Sequence, residues 1–507
     1  MKLNENPIFL TQKRLVHRGG VLAAILISAI VGLSLLSGLV AYRVNASYYF
    51  PDFETAQQAG KTFYGFTIGV EIVLLVLGGF SRISRTLAEE RKAGLYDSNR
   101  LTPLKPTQIV AGYWLGPALR EFYMALVLAG TGLLIVLLAG LPLTFWLGSQ
   151  LLIFGSALFF GLLAIPAGLG VQRPQIGVLI VLIFFLIQPF SFSFPRFVLT
   201  NFLLPSYAIV NLFTDAKDLS RGNSYQDWAG WPSLFGLPIP PILLSLCLQL
   251  ILGFLLWRGA TRKTANPFQP LILRREAVVI FGILLLVQHG LIWSLWRGNF
   301  PVPAINGEKY FYVVDTLFPA IQCGTILVAC IFLAAASPQP ETVRVTALRR
   351  PIKSFGEIFS RSAVSLALTL GAISAGVLLL QFARGFTNSW EVYLVTAGNL
   401  LSTFLIFALL LEYCRLRHKK RAVGFIVLWL FVLCFLPFIL AGVFYSSAFT
   451  KLSLLAPGVA ALSMGNGETI HYLAGIVFAH FGIAVLLWIV WRREWRQLLA
   501  KATASQN

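Results

Sequence analysis

Polar and apolar positions along the chain alternate on the scale of whole helices: long apolar runs are separated by short basic connections. Twelve runs reach or approach the roughly 20 residues that cross a bilayer. In the first half they are 21–41, 63–80, 122–141, 151–171, 176–192 and 241–257. In the second they are 277–296, 311–336, 363–382, 392–411, 422–445 and 472–491. The pattern predicts an all-α polytopic membrane protein of about twelve transmembrane helices. The first run is too long for a signal-peptide core and has no convincing small-residue cleavage site after it, so it is expected to be retained.

Composition narrows the class in the same direction. The chain has 507 residues, of which 57% are hydrophobic and 12% charged, against about 25% charged in a soluble domain. That polar surface is too small to cover soluble domains, and too apolar a mixture for disorder or a collagen-like repeat. The five cysteines form no C-x-x-C pair and lie in or beside apolar runs, and the five histidines are scattered. A disulfide scaffold and a metal site are therefore not expected.

The charge is +20, from 40 basic and 20 acidic residues, and its placement is one-sided. Placing the N-terminus in the cytoplasm assigns seven basic clusters to inside segments: Lys2 to Arg18, Arg82 to Arg120, Arg173, Arg258 to Arg275, Arg344 to Arg361, Arg415 to Arg421 and Arg492 to Lys501. These hold 31 of the 40 basic residues, as the positive-inside rule requires. Both termini are then cytoplasmic, in a plasma or inner membrane. Anionic lipid headgroups suffice as partners for this charge, and no nucleic acid is needed.

Three short matches recur in order. Asn6-Pro7-Ile8 and Asn266-Pro267-Phe268 precede the first and seventh runs, and Pro103-Leu104-Lys105 and Pro351-Ile352-Lys353 follow the second and eighth. The stretches 203–208 and 455–460, each with a proline, precede the sixth and twelfth. The offsets are 260, 248 and 252 residues. They divide the chain into six-helix halves, residues 1–262 and 263–507. An even number of spans gives both halves one orientation, related by an axis along the membrane normal.

The connection after the second run carries the most specific signal. It contains Glu89, Glu90, Arg91, Gly94 and Asp97, then Leu101-Thr102-Pro103-Leu104, then Ile109-Val110-Ala111-Gly112. Its first part continues the span as a charged helix, Gly94 supplies a break, and Thr102-Pro103 is expected to start a new helix, since proline is tolerated at a first helical position. The order and spacing resemble the permeases of the ABC-2 family of ATP-binding cassette transporters. The resemblance implies that this elbow is the coupling element which docks into an ATP-binding subunit, with Glu89, Glu90, Arg91, Gly94, Leu101, Thr102, Pro103 and Leu104 transmitting its motion. In the second half Arg349, Arg350 and Pro351 stand at the equivalent place, without the glycine or the acids. Ser98, Asn99 and Arg100 replace the leucines usual in the family.

No phosphate-binding loop accompanies this motif. Gly60-Lys61-Thr62 ends like one, but Thr55 stands where its first glycine belongs. The resemblance therefore implies a transport subunit, not an enzyme, with ATP and Mg on a separate ATPase, expected as a dimer, and no cofactor on this chain. Two other readings have some footing. Asp52 and Glu54 fit the outer-loop acids of a lipid-linked-sugar glycosyltransferase, although duplication argues against a single active site. Glu71, Asp315 and His480 are ionisable groups in or beside spans, expensive there and hence functional candidates. Glu71 is the candidate for a substrate pathway, but the groups are too few to favour a proton-coupled secondary transporter. A non-catalytic membrane scaffold is the remaining alternative.

The charge asymmetry makes a topological prediction. Single cysteines replacing Lys105 and Lys419 will be shielded from an impermeant thiol reagent in intact cells, and one replacing Lys217 will be labelled. Labelling at position 105 from outside would reverse the orientation.

Overall fold

The computed structural model describes residues 5–18, 20–49, 53–170, 199–203, 232–296, 328–337, 362–383, 390–418 and 467–504, with isolated positions 205, 209, 321, 325, 326 and 359. Contacts gather the chain into two compact units: Met1–Gln188 with Asn201–Gly230 and Pro240–Ala265, and Pro189–Thr200 with Trp231–Ile239 and Asn266–Asn507.

Unit 1 begins with an amphipathic helix, α1 (Pro7–Arg18), whose Ile8, Phe9, Gln12 and Val16 are buried. It continues through α2 (Val21–Tyr49) and α3 (Phe53–Ile72), a π-helical turn (Val73–Gly78) and α4 (Gly79–Lys92). Two short helices follow, α5 (Leu95–Leu101) and α6 (Pro106–Leu115), then α7 (Leu119–Ala139), α8 (Leu143–Gly170) and α9 (Pro241–Ala265). The core lies where α2, α3, α7 and α8 meet, around Leu39, Tyr64, Ile68, Ala125, Ile135, Leu152 and Ile153. Helices approach closely through small residues, as they do where lipid supplies no hydrophobic drive. A Cβ on Gly168 of α8 would lie 2.8 Å from the Ser84 carbonyl of α4.

Unit 2 contains a two-residue hairpin, β1 (Ser233–Leu234) with β2 (Leu237–Pro238), and the helices α10 (Arg274–Trp296), α11 (Ala363–Ala383), α12 (Trp390–His418) and α13 (Gly467–Ala504). The hairpin packs on α10: Phe235 N donates to the Gly290 carbonyl at 2.9 Å, and the Phe235 and Trp293 rings stand edge to face. At the other end of α10, side chains close the helix ends. Arg274 donates to the Ser362 carbonyl. Glu412 of α12 accepts from Ala363 N, at the start of α11, at 2.6 Å, and from Trp491 Nε1 at 3.5 Å. Arg415 donates to the carbonyls of Ala334 and Ser337 at 2.8 and 3.3 Å. A carboxylate at a helix N-terminus and a guanidinium on terminal carbonyls each complement the helix dipole.

Seven helices among the described residues are long and apolar enough to cross a membrane: Val21–Tyr42, Gln57–Lys92, Leu119–Ala139, Leu143–Leu169, Pro241–Ala265, Arg274–Trp293 and Tyr393–Arg417. Ala363–Leu379 is shorter. Leu22, Leu26, Ile30 and Leu33 of α2 are each more than half exposed, an apolar stripe that lipid covers. This is a mostly helical, membrane-embedded protein. The seven correspond to the first, second, third, fourth, sixth, seventh and tenth expected runs, and the ninth lies in α11. The fifth and eleventh runs and most of the eighth fall outside the described residues, and the twelfth is part of α13.

Helices overrun the apolar runs that predicted them. Gln57–Lys92 spans 36 residues, about 54 Å of helix against about 30 Å of hydrocarbon. The Gly60-Lys61-Thr62 stretch lies within helix α3, not in a loop.

Candidate functional site: a docking elbow

Overlength brings the charged end of α4 beyond the apolar span, and there the chain turns. Ala93 N donates to the Glu89 carbonyl at 2.9 Å and Gly94 N to the Arg91 carbonyl at 3.2 Å. Gly94 has φ +76°, the left-handed conformation that ends helices and that a Cβ resists. Its carbonyl then accepts from Ser98 N at 3.0 Å, opening α5.

Helix α5 ends at Leu101, and the backbone is extended at Thr102 and again at Lys105. The expected helix start at Thr102-Pro103 is therefore displaced: α6 begins at Pro106. Lys105 N donates to Gln108 Oε1 at 3.0 Å, while Gln108 N and Ile109 N donate to the Lys105 carbonyl. That closed turn makes Pro106, not Pro103, the first helical residue. Thr102 closes the preceding helix, its hydroxyl donating to the Asn99 carbonyl at 2.6 Å.

The elbow is anchored from three sides. Glu90 Oε1 accepts from Gln12 Nε2 of α1 at 2.5 Å, and Glu90 Oε2 accepts from the hydroxyl of Tyr113 on α6. The Tyr113 oxygen in turn accepts from Asn99 Nδ2 of α5 at 2.8 Å. On a second side, Asn6 Nδ2 donates to the Gln108 carbonyl at 2.6 Å while Asn6 Oδ1 accepts from Ile8 N at 3.0 Å. A Cβ on Gly112 of α6 would meet Ile8 of α1 at 2.9 Å, so glycine there allows the two helices to touch. On the third side, Arg100 Nε donates to the Thr264 carbonyl at 2.6 Å and the Tyr96 hydroxyl lies 2.9 Å from Thr264 Oγ1. Arg91 reaches the Leu169 carbonyl near the end of α8.

Burial raises the hydroxyls of Tyr96 and Tyr113 above the ordinary tyrosine range, and for Tyr113 the Glu90 carboxylate adds to it. Both stay neutral at physiological pH, so Tyr113 remains a hydrogen-bond donor. The network satisfies the buried polar groups that would otherwise be costly.

Anchoring leaves a distinct set of side chains exposed. Leu101 is 89% exposed and Leu95 54%, and Thr102, Pro103 and Lys105 are exposed beside them, with Leu104 half-buried. Glu89 and Lys92 are exposed at the end of α4, where Glu89 forms a solvent-facing pair with Arg85 at 2.8 Å. The expected site residues thus divide. Glu90 and Arg91 hold the elbow, Gly94 shapes it, and Glu89, Leu101, Thr102 and Pro103 face outward. Arg349, Arg350, Pro351, Asp52 and Asp315 lie outside the described residues. Among the described residues no group of His, Cys, Asp and Glu is arranged to hold a metal.

Tyr113, Gln12, Tyr96 and Thr264 were not singled out by sequence reasoning, and Asn99 stood out only as a departure from the family's leucines. Asn6 was singled out, through its Asn-Pro pairing with Asn266. Asn266 makes the same local turn, its Oδ1 accepting from Phe268 N at 3.0 Å.

Separating anchor from surface gives a prediction. Tyr113→Phe removes the donor to Glu90 and the acceptor for Asn99, a loss of about 1–3 kcal/mol. Amides 95–101 will then exchange hydrogen roughly 10- to 100-fold faster than in the wild type, while Glu89→Gln leaves them unchanged. Equal exchange in Tyr113→Phe would show that the network does not hold α5.

No family model matches the chain, and neither does any curated protein or solved structure.

Proposed function

We propose that the chain is the membrane-spanning permease of an ABC-2 type ATP-binding cassette exporter, powered by separate ATP-hydrolysing subunits. The observation that carries the reading is the elbow between α4 and α6. It is tied internally through Glu90, Arg91 and Arg100, yet it presents exposed apolar and polar side chains at its tip. A loop serving only to connect two spans has no use for an 89% exposed leucine set on a helix held by hydrogen bonds to α6 and α9. A protein surface that takes up Leu95, Leu101 and Pro103, with complementary charge for Glu89 and Lys92, would gain from that preorganisation.

In this reading the nucleotide-binding subunits move when they bind and hydrolyse ATP, and the elbow passes the movement to α4 and, through Arg91, to the end of α8. Rigidity is what the role requires, because a loose loop would absorb the displacement. The matching turns at Asn6 and Asn266 support two halves of common origin. Twelve spans, cytoplasmic termini and a second contact through Arg349, Arg350 and Pro351 belong to the same proposal.

The test is association with a nucleotide-binding partner in native membranes. A photo-crosslinking residue at position 101 is expected to capture a separate chain that binds ATP, while the purified chain alone binds none. Leu101→Asp and Gly94→Val should reduce that capture at least about tenfold with expression and membrane insertion unchanged, the second by forcing a β-branched residue into a left-handed conformation. ATP-analogue labelling of this chain by itself, or undiminished capture in both variants, would contradict the proposal.

A further inference from the structure

Glu71 lies within the membrane-spanning helix Gln57–Lys92 and is fully buried. Among the described residues its side-chain hydrogen bond comes from α8, where Gln150 Nε2 donates to Glu71 Oε2 at 2.9 Å. Two oxygens of this pair, Glu71 Oε1 and Gln150 Oε1, are buried without a hydrogen-bond partner. A buried carboxylate bound by a single amide hydrogen is poorly compensated, since an unpaired charge in such a place costs several kcal/mol.

We propose that Glu71 and Gln150 form a proton-binding site in which Glu71 is held as a neutral carboxylic acid at physiological pH. A proton on Glu71 Oε1 turns an acceptor into a donor, and Gln150 Oε1 is the acceptor that lacks one. An acid and a primary amide pair in this way through two parallel bonds, N–H to O and O–H to O. One proton therefore completes both unpartnered oxygens. The reaction is simple protonation: the carboxylate gains H⁺ from the aqueous phase, and no other bond changes.

The surrounding charges leave the acid as the means of compensation. Helix α8 has no acidic, basic or histidine side chain between Leu143 and Gly170, and α2 has none between Val21 and Tyr42. On α7 the charged residues are Arg120 and Glu121, which are paired with each other at 3.0 Å. On the same helix as Glu71, Lys61 is ten residues away and Arg82 eleven, each about 15 Å or more along the axis. Tyr64, two turns before Glu71, is hydrogen-bonded to Ser149 at 2.5 Å and also interacts with the Gln150 side chain.

The backbone adds a second observation. A π-helical turn begins at Val73, two residues beyond Glu71, and such turns inside α-helices frequently accompany functional sites. Buried positions step through Tyr64, Ile68 and Glu71 before it, fall on the successive residues Leu75 and Val76 within it, and continue through Phe80, Ile83 and Leu87 after it. The extra residue shifts the buried face by one position. It lets one helix aim Glu71 at α8 and, further along, pack Leu87 beneath Gly168.

Infrared spectroscopy of the full chain in lipid nanodiscs tests the site. With ¹³C-labelled glutamate, a protonated-carboxyl C=O band is expected at pH 7, where an ordinary exposed glutamate is more than about 99% ionised. Glu71→Gln, which keeps the shape and an amide partner, should fold normally and lose that band. Gln150→Ala should keep the band and move it to higher frequency, because its hydrogen-bond acceptor is gone; this arm stands even if Glu71→Gln fails to fold. Absence of the band in the wild type at pH 7, or a band unaffected by either variant, would overturn the proposal.

Discussion

Glu90 gives each of its carboxylate oxygens to a different helix, one to Gln12 of α1 and one to Tyr113 of α6. The elbow depends on that arrangement. A bilayer forces each span to satisfy its own backbone, but it says nothing about what the chain does on leaving the span. At the end of α4 the turn at Gly94 settles terminal carbonyls through the backbone N–H groups of Ala93 and Gly94, and the cluster of charges is settled by side chains. Glu90 supplies a common acceptor, Gly94 supplies the left-handed turn, and Arg91 and Arg100 cover the ends of α8 and α9. A short segment which would be disordered as a free peptide, since seven residues are too few for a stable helix, becomes a fixed projection.

Unit 2 applies the same physics with different residues. Glu412 sits at the N-terminus of α11 and Arg415 on the carbonyls of Ala334 and Ser337, so a carboxylate and a guanidinium on neighbouring turns of α12 close two other helices. In unit 1 the arginines that close neighbours are Arg91 and Arg100, one on each side of the turn at Gly94. Charged residues at helix ends thus act as fasteners between helices in each unit. That role is separate from the positive-inside bias, although both draw on the same basic clusters. A substitution at Arg91 or Arg415 consequently alters packing as well as surface charge.

Much of the fold could be read in the sequence because the strongest constraint, an apolar run of span length, is written in composition. Gly94 and Asn6-Pro7 were legible for a local reason: left-handed turns and side-chain-closed turns select particular residues. Other features depend on distant partners. Pro103 looked like a helix start, but Gln108 closes a turn on Lys105 three residues later and moves the start to Pro106. Glu89 and Glu90 read as one acidic pair, yet successive helical positions are about 100° apart, and only Glu90 faces α1 and α6. Tyr113 was hidden in an apolar stretch where its hydroxyl gave no pattern. The π turn left no mark in hydropathy, and shows only as the one-residue shift between the buried positions on either side of it.

The elbow is preformed by its own chain and does not wait for a partner. Spin labels at positions 14 and 98, both exposed, one on α1 and one on α5, measure it directly by pulsed electron–electron distance spectroscopy on the isolated protein in nanodiscs. The account predicts a single narrow distance distribution without any added subunit, broadened by Glu90→Ala. A broad distribution in the wild type that narrows only when a partner is added would contradict it.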